Sequence, residues 1–205
     1  MNFLAHLYLS DPTPASMIGN LLPDLVPGPL DPSLPPDVLA GANNHKRVDA
    51  FTDTHRVFAR SRARLRPRHG RYSAILADMF YDHVLARRWE CYHDESLDDF
   101  VEKVYTGLAG GTDLMPVVMS KITGRMIRQD WLRSYATAEG MRRVLTMMSA
   151  RFSARLGRPV ELTHAVDDLL DQGEGFEGDF HEFFPEVADY VRGRAPASAN
   201  EKLVQ

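Results

Sequence analysis

The stretch GANNHKRVDAFTDTH, residues 41–55, is the part of the sequence that most clearly indicates a helical fold. Within it, His45, Asp49 and Asp53 recur every four residues. Positions four apart lie on one side of an α-helix, so these side chains would form a single polar ridge. A ridge of imidazole and carboxylates can bind a metal ion, although a solvated helix face with local ion pairs would have the same spacing.

A second ridge follows in DMFYDH, residues 78–83. Asp78 precedes Asp82 by one helical turn, and His83 stands beside Asp82. Two helices that carry such ridges can face each other across the core of a bundle. Because both ridges lie among apolar neighbours, together they favour a metal site over two solvated faces.

The composition is that of a soluble globular protein with one core. The chain has 205 residues, of which 44% are hydrophobic and 25% charged, and these values exclude global disorder. The single cysteine, Cys91, permits no internal disulfide, which is compatible with a reducing cytosol. The run MNFLAHLYLSD lacks the basic start of a signal peptide, and no stretch approaches the roughly 20 apolar residues of a spanning helix. We therefore expect a cytoplasmic protein without a membrane segment.

Positive charge is concentrated in residues 56–71. The formal net charge of the chain is −4, yet this block has seven arginines and no acidic residue, so it carries +7 and the remainder −11. Such a block on an acidic protein predicts a docking surface for a phosphate-rich or carboxylate-rich partner. A solvated helix face with a basic loop would give the same pattern. The arginines are Arg56, Arg60, Arg62, Arg64, Arg66, Arg68 and Arg71.

Prolines and glycines suggest where the helix with the first ridge begins and ends. Pro35 and Pro36 suit a helix start, because a helix needs no amide donor there. We expect the helix to continue through the first ridge and the arginine block until Pro67 and Gly70 break it.

Helical periodicity extends along the whole sequence, and no alternating strand pattern longer than a few residues is present. The sequence thus predicts an all-α, single-domain helical bundle over residues 1–192, with residues 193–205 as a frayed C-terminal tail. Further helices are expected over residues 72–89, 97–108, 115–135, 139–156 and 180–193.

Eight side chains in the first half of the chain are candidate ligands or catalytic groups. Mixed histidine and aspartate ligands suit a hard or borderline divalent ion, which we expect to be Mn, Mg, Fe or Zn, and the absence of a cysteine cluster argues against a thiolate site. Such an ion lowers the pKa of bound water and neutralises phosphoryl oxygens, so hydrolysis of a phosphate ester is the natural reaction. The candidates are His6, Asp24, His45, Asp49, Asp53, Asp78, Asp82 and His83.

The sequence also contains six motifs whose combination is specific: NFLAHLYLS, GNLLPDLV, HKRVDAFTD, DMFYDH, QDWLRSYAT and MRRVLTMMSAR. They resemble the acyl carrier protein phosphodiesterase family, a divergent branch of the HD-type metal phosphohydrolases. The similarity extends over nearly the whole chain, to about residue 190. It implies an all-α, distorted HD-domain-like fold. It also implies hydrolysis, by a metal-activated water, of the phosphodiester that links 4′-phosphopantetheine to the serine of holo acyl carrier protein, with Mn as the expected ion.

The HD pattern requires a histidine on an early helix, then a His-Asp doublet, then a distant aspartate. His6 matches the first position, and Asp24 matches the aspartate of the doublet. Pro23 stands where the histidine of the doublet would be, and proline cannot bind a metal. This departure leaves the number of metal ions open, and His45 could supply the missing imidazole.

The distant aspartate of the pattern is either Asp78 or Asp82, and spacing does not choose between them. The leaving serine needs a proton, for which His83 or His45 is the candidate acid. The resemblance therefore implies a set of metal ligands and a set of catalytic groups. The expected ligands are His6, Asp24, His45, Asp49 and Asp78, and the expected catalytic groups are His83, His45 and Asp82.

The resemblance also suggests a partner for the arginine block. Acyl carrier proteins are acidic, so residues 56–71 would dock the carrier beside the first ridge. A nucleic acid is the competing partner, but Phe58 and Tyr72 alone make a poor base-stacking platform, so none is expected. The expected substrate-binding or partner-binding residues are Arg60, Arg64 and Arg68, together with Lys46, Arg47 and Arg87.

Two other functions fit the same residues. One is an HD-type phosphohydrolase of nucleotides or small phosphoesters, and the other is a non-catalytic module that binds an acidic partner through residues 56–71. The two ligand ridges argue against the binding module, because such a module has no use for them. Only substrate assays separate the two enzymes, and the oligomeric state is left open.

Overall fold

The computed structural model describes residues 1–193, and this part of the chain is built from α-helices and short 3-10 helices without a β-strand. The prediction of an all-α protein is therefore confirmed. The expected C-terminal tail, residues 193–205, lies outside the described residues apart from Gly193. The helices are α1 (Phe3–Tyr8), α2 (Pro14–Leu25), α3 (Pro36–Thr54), α4 (Arg56–His69), α5 (Ser73–Arg87), α6 (Leu97–Gly110), α7 (Val117–Arg128), α8 (Trp131–Ser134), α9 (Ala138–Leu156), α10 (Ala165–Asp171) and α11 (Gly173–Val191).

Two helix starts follow directly from hydroxyl side chains in the sequence. The hydroxyl of Thr13 accepts a hydrogen bond from the Ser16 amide at 3.2 Å and begins α2. The hydroxyl of Ser96 accepts from the Asp99 amide at 3.1 Å and begins α6. Each bond satisfies an amide that has no acceptor inside the helix, which stabilises the first turn.

The long helix expected through the first ridge and the arginine block is two helices. His55 ends α3 in an extended conformation, with φ −77° and ψ 130°. Its ring Nδ1 then accepts a hydrogen bond from the Val57 amide at 3.3 Å and begins α4. Pro67 lies inside α4 and does not end it. The ridge and the arginines therefore lie on different helices that point in different directions.

One further boundary differs from the sequence-based expectation. The helix expected over residues 115–135 is interrupted, because Asp130 has a left-handed backbone with φ 49° and separates α7 from α8. The helix α2 contains Pro23 and continues to Leu25, so Asp24 lies in the last turn of a helix.

The helices α2 and α3 cross with their backbones in direct contact at two glycines. A Cβ atom on Gly19 would lie 2.2 Å from the carbonyl oxygen of Val38, and one on Gly41 would lie 2.5 Å from the carbonyl oxygen of Ser16. No side chain fits at these distances, so only glycine permits the close approach. The crossing places the end of α2 beside the middle of α3, where the first ridge begins.

The core beneath this crossing is rich in aromatic side chains. Phe58 of α4, Tyr81 of α5 and Phe183 of α11 are fully buried, and their rings pack at centroid distances of 5.4 to 6.4 Å. Burial of each large side chain contributes on the order of 1.5–3 kcal/mol. This packing fixes α5, and hence the second ridge, against α4 and α11.

Candidate metal centre

Three helices bring histidine and aspartate side chains together. His6 comes from α1, and His45 and Asp49 come from α3, and one ligand atom of each lies within 4.8 Å of the others. The Asp49 carboxylate bridges the Nε2 atoms of the two rings, with Oδ1 3.2 Å from His6 Nε2 and Oδ2 3.0 Å from His45 Nε2. Asp24, at the end of α2, approaches His45 Nε2 to 3.8 Å. Four of the five expected ligands thus converge.

His6 is buried without a hydrogen bond. Its relative exposure is 0%, and neither ring nitrogen makes a hydrogen bond of good geometry within the described part of the chain. Burial lowers the pKa of His6 to about 3, so the ring is neutral and can offer a lone pair. An unpaired buried polar group is costly unless another partner satisfies it. This environment fits a metal ligand, and the donor set of two imidazoles with carboxylates fits a divalent ion.

His45 is oriented by a contact on the far side of its ring. Its Nδ1 donates to the carbonyl oxygen of Asn20 at 2.7 Å, which directs Nε2 toward Asp49. A carbonyl bonded to the second ring nitrogen is the usual arrangement around a metal-binding histidine. Asn20 is itself fully buried and held by a bond from its side chain to the Ser16 carbonyl at 2.9 Å. The ring of His45 is therefore fixed before any ligand binds.

The carboxylates create a site that favours positive charge. Burial would lower the pKa of His45, but Asp49 and Asp24 outweigh burial and raise it. The α-amino group of Met1 lies 2.9 Å from Asp78 and 3.3 Å from Asp49. Burial would lower the pKa of this amino group too, yet the two carboxylates raise it to about 11. Asp78 thus shares a cation with Asp49 at the edge of the cluster.

Of the two alternatives for the distant aspartate, the structure places Asp78 at the cluster and Asp82 behind α1. The carboxylate of Asp82 is fully buried, and it accepts hydrogen bonds from the amides of Leu4 at 2.8 Å and Ala5 at 3.1 Å. Burial raises the pKa of Asp82 to about 7, although these amides act in the opposite direction. Asp82 therefore holds the first turn of α1, and with it His6, and does not face the ligand atoms.

His83 also lies outside this group of ligand atoms. Its Nδ1 donates to the carbonyl oxygen of Tyr135 at 2.6 Å, and the side chain is buried. Burial lowers the pKa of His83, so the neutral ring links α5 to the end of α8. Asp53, the last member of the first ridge, is exposed at the end of α3. The acid role expected for His83 stays a prediction.

The basic residues expected near the substrate differ in their surroundings. Arg47 donates to the carbonyl oxygen of Tyr190 at 3.3 Å, and its guanidinium lies 5.1 Å from the centroid of that ring. It is therefore bound to α11. Lys46 and Arg87 are exposed, and neither has a carboxylate partner within residues 1–193.

The arginine block is joined to α11 through a buried carboxylate. Arg60 Nε lies 2.6 Å from Asp179 Oδ1, and Arg64 Nε lies 3.2 Å from Asp179 Oδ2. The Asp179 side chain is only 3% exposed and also accepts a bond from Ser61 Oγ at 2.7 Å. Such a buried carboxylate requires these donors, because an unpaired charge in the interior is strongly unfavourable.

The same pattern continues along α4. Arg68 lies 2.7 Å from Asp168, whose side chain is 5% exposed, and His69 contacts the other oxygen of Asp168 at 2.6 Å. At the opposite end, Arg56 lies 2.5 Å from Glu182. The four arginines of α4 that are spaced four residues apart, Arg56, Arg60, Arg64 and Arg68, are thus each paired with a carboxylate of the chain. Arg60, Arg64 and Arg68 pair with carboxylates of α10 and α11, and their expected role in docking the carrier stays a prediction.

Comparison with known proteins agrees with the resemblance seen in the motifs. A family model described as acyl carrier protein phosphodiesterase matches residues 1–187. The chain belongs to this family. It is a family of hydrolases by name. No solved structure matches the chain significantly.

Several proteins named acyl carrier protein phosphodiesterase are similar to the chain over nearly its full length. The protein of Yersinia enterocolitica is 31% identical over 197 residues, which covers 95% of this chain and 99% of that protein. The protein of Serratia proteamaculans is 30% identical over 195 residues, with coverage of 95% and 99%. The protein of Escherichia coli is 33% identical over 192 residues, with coverage of 91% and 95%. Among the described residues, no helix has the length and apolar character needed to cross a membrane.

Two contributors to the site were not predicted from the sequence. Asn20 acts through its backbone carbonyl, which no pattern of residue types reports. Arg151 of α9 lies near enough to act on Asp24. Burial raises the pKa of Asp24, while the charges of His45 and Arg151 act in the opposite direction. The motif MRRVLTMMSAR contains Arg151, but its nearness to Asp24 depends on how α9 packs.

Proposed function

We propose that this chain hydrolyses the phosphodiester between 4′-phosphopantetheine and the serine of holo acyl carrier protein, releasing apo carrier and phosphopantetheine. The observation that carries the proposal is the cluster of buried His6 and His45 with the partly exposed Asp49 in a chain of this family. A phosphodiester is doubly substituted and anionic, so its hydrolysis requires charge stabilisation at the phosphoryl oxygens. The cluster is the place in the described chain where such stabilisation can be assembled.

We further propose that a divalent ion, with Mn first, binds to His6, His45 and Asp49, with Asp24 and Asp78 completing the carboxylate set. Two imidazole nitrogens and carboxylate oxygens suit Mn, Fe or Zn, whereas Mg prefers oxygen ligands alone. When bound, such an ion supplies a lower pKa for water and neutralises phosphoryl charge. The support lies in the unsatisfied ring of His6 and in the nearby acidic groups.

Other residues of the chain orient the proposed ligands. The Asn20 carbonyl keeps His45 Nε2 directed at the cluster, and Asp82 keeps α1 and His6 in place. Because His45 Nε2 faces Asp49, His45 acts as a ligand in this proposal and not as a free acid. The proton for the leaving serine then comes from His83, the remaining candidate acid, or from solvent at the open side of the site, where the Asp24 side chain is 38% exposed.

The direct test is incubation of holo carrier with the purified protein and Mn, followed by measurement of the intact mass of the carrier. Loss of the phosphopantetheine mass supports the proposal. Cleavage of nucleotides or small phosphoesters without action on holo carrier would instead favour the hypothesis of an HD-type phosphohydrolase. Carrier binding without any change in mass would favour the binding module. We propose a cytoplasmic location, with which the free thiol of Cys91 is compatible.

A further inference from the structure

An open groove lies between the start of α5 and the last turns of α9. Its volume is about 390 Å³, which is within the usual range for small-molecule sites. The floor is apolar and aromatic, and the Tyr72 and Phe152 rings pack there at a centroid distance of 5.5 Å. Ile75 and Leu156 extend this apolar surface, and Arg71 and Arg155 also line the groove.

One wall of the groove is formed by the start of α5. Ile75, which lines the groove, and Asp78 are three residues apart on this helix. Residues at this spacing lie on one face of a helix, so Ile75 and the Asp78 carboxylate share the same side of α5. Asp78 in turn contacts the α-amino group of Met1, which also contacts Asp49 of the cluster.

The other wall is formed by the last turns of α9. Arg155 lines the groove, and Arg151 lies one turn earlier on the same face of α9. An elongated ligand with an anionic end would place that end beside Arg151 and its remainder over the rings of Tyr72 and Phe152.

The two arginines that line the groove, and Arg151 next to it on α9, are free to bind a ligand. Arg71, Arg151 and Arg155 have no carboxylate within 4 Å in the part of the chain that the structure describes, whereas Arg60 and Arg64 are paired with Asp179. Arg71 instead donates to the Tyr72 hydroxyl at 2.9 Å and lies over the ring of that residue. The available guanidinium groups can donate to carbonyl oxygens or to phosphate.

We propose that this groove binds the pantetheine arm of the substrate, an inference that rests on the proposed function. The arm is an extended, uncharged chain that carries a branched hydrocarbon unit, amide carbonyls and a terminal thiol. The apolar floor suits its hydrocarbon portions, and Arg155 suits its carbonyl oxygens. Arg151 then lies beside the phosphoryl group. The carrier approaches from the opposite side of the phosphodiester and does not occupy the groove.

A second groove on α9 provides a matched control. It has a volume of about 540 Å³ and is lined by Trp131, Val144 and Met147 among others. Leu156 in the first groove is 41% exposed and Met147 in the second is 37% exposed. Both are apolar residues of the same helix, so Leu156→Trp and Met147→Trp place the same bulky side chain in the two grooves at similar cost to folding.

The experiment measures binding of 4′-phosphopantetheine and of inorganic phosphate to the Mn-loaded protein by calorimetry. The wild type is expected to bind phosphopantetheine more tightly than phosphate. Leu156→Trp should weaken phosphopantetheine binding by about tenfold or more, since obstruction of an apolar subsite costs on that scale. Phosphate binding should stay unchanged, and Met147→Trp should match the wild type with both ligands. The KM for holo carrier should rise in Leu156→Trp alone.

Each other outcome overturns the assignment. If wild type binds the two ligands equally, or if Met147→Trp and not Leu156→Trp weakens phosphopantetheine, the arm does not lie in the groove between α5 and α9. If Leu156→Trp weakens the binding of phosphate as much as that of phosphopantetheine, the variant has damaged the cluster, and the groove does not contribute to binding of the arm. A wild type that hydrolyses holo carrier while failing these binding tests refutes the groove alone. A wild type that leaves holo carrier intact refutes the proposed function.

Discussion

The rings of His6 and His45 stack with their centroids 3.9 Å apart and their planes 16° from parallel. The two residues are far apart in sequence and come from α1 and α3, so the tertiary fold alone brings them together. A bare pair of imidazoles at this distance gains little from stacking and loses hydration. Because Asp49 contacts both rings, the pair is best explained as a prepared ligand set.

Replacement of His6 by alanine should remove metal binding with a modest effect on stability. His6 makes no hydrogen bond of good geometry within the described residues, so no buried partner is left unsatisfied. Mn affinity should fall by more than about tenfold, a loss at least as large as that for indirect contacts to a ligand. Metal content after dialysis and thermal unfolding together provide the measurement.

His83→Ala is the matched control, because His83 is also buried but bonds the Tyr135 carbonyl. It should lose about 1–3 kcal/mol of unfolding free energy, since that carbonyl loses its donor. Metal content should remain that of the wild type. The reverse pattern, with metal lost in His83→Ala and kept in His6→Ala, would place the ion elsewhere.

Asp82→Asn should change how stability depends on pH. Burial raises the pKa of Asp82 from 3.8 to about 7. A carboxyl group with a raised pKa in the folded state contributes stability below its unfolded pKa and loses it as pH rises through the folded value. The stability of the wild type relative to Asp82→Asn should therefore decrease between about pH 4 and pH 7. Urea unfolding across this range measures it, and a constant or rising difference would contradict the role of Asp82.

The ion pairs between the arginine block and Asp179 should stabilise the fold. Arg60→Ala removes one donor from the buried Asp179 carboxylate and should cost about 1–3 kcal/mol, because Arg60 itself is 43% exposed and Arg64 remains. Arg66→Ala on the same helix is the control. Arg66 is exposed without a carboxylate partner in residues 1–193, so its loss should stay within about 0.5 kcal/mol. Equal urea midpoints for the two variants would show that the ion pair of Arg60 with Asp179 does not contribute to the free energy of unfolding.

The glycine crossing should tolerate no side chain. Gly19→Ala forces a Cβ atom to 2.2 Å from the Val38 carbonyl oxygen, so α2 and α3 must separate. We expect a loss of about 1–3 kcal/mol and weaker Mn binding, since Asp24 moves away from His45. Gly178→Ala in α11 is the control, because its Cβ meets nothing within 4 Å. That variant should gain about 0.5–1 kcal/mol. An equal loss of stability in Gly178→Ala would show that the effect of Gly19→Ala does not come from the close approach of α2 and α3.

The all-α fold could be predicted well from the sequence, because helical periodicity and helix-capping hydrogen bonds depend only on residues close together in the chain. The bonds of Thr13 and Ser96 to the first turns of α2 and α6 depend only on neighbouring residues. The breaks at His55 and Asp130 were missed, because each depends on a single backbone conformation that neighbouring residues do not require. The four-residue spacing predicts that His45 and Asp49 share one face of α3, and the family resemblance adds His6 and Asp24 to them.

The remaining differences concern contacts between distant residues. Asp78 and Asp82 have equivalent spacing in the sequence. Only the packing of α1 against α5 shows that Asp78 lies at the edge of the cluster and that Asp82 accepts hydrogen bonds from the first turn of α1. The sequence alone does not show that the arginine block is paired, because Asp168 is 100 residues from Arg68 and Asp179 is 115 residues from Arg64. Long-range ion pairs of this kind leave no local signal in a sequence.

Metal-dependent hydrolysis at the cluster can be measured directly as the intact mass of holo carrier after incubation with Mn and each of three proteins. These are the wild type, Asp49→Asn and Asp53→Asn, and the two variants place the same substitution one turn apart on α3. We expect wild type and Asp53→Asn to release phosphopantetheine at similar rates, and Asp49→Asn to be slower by more than about tenfold. A chelator should stop the reaction. An unchanged carrier mass with the wild type, or full activity of Asp49→Asn, would contradict hydrolysis at this cluster.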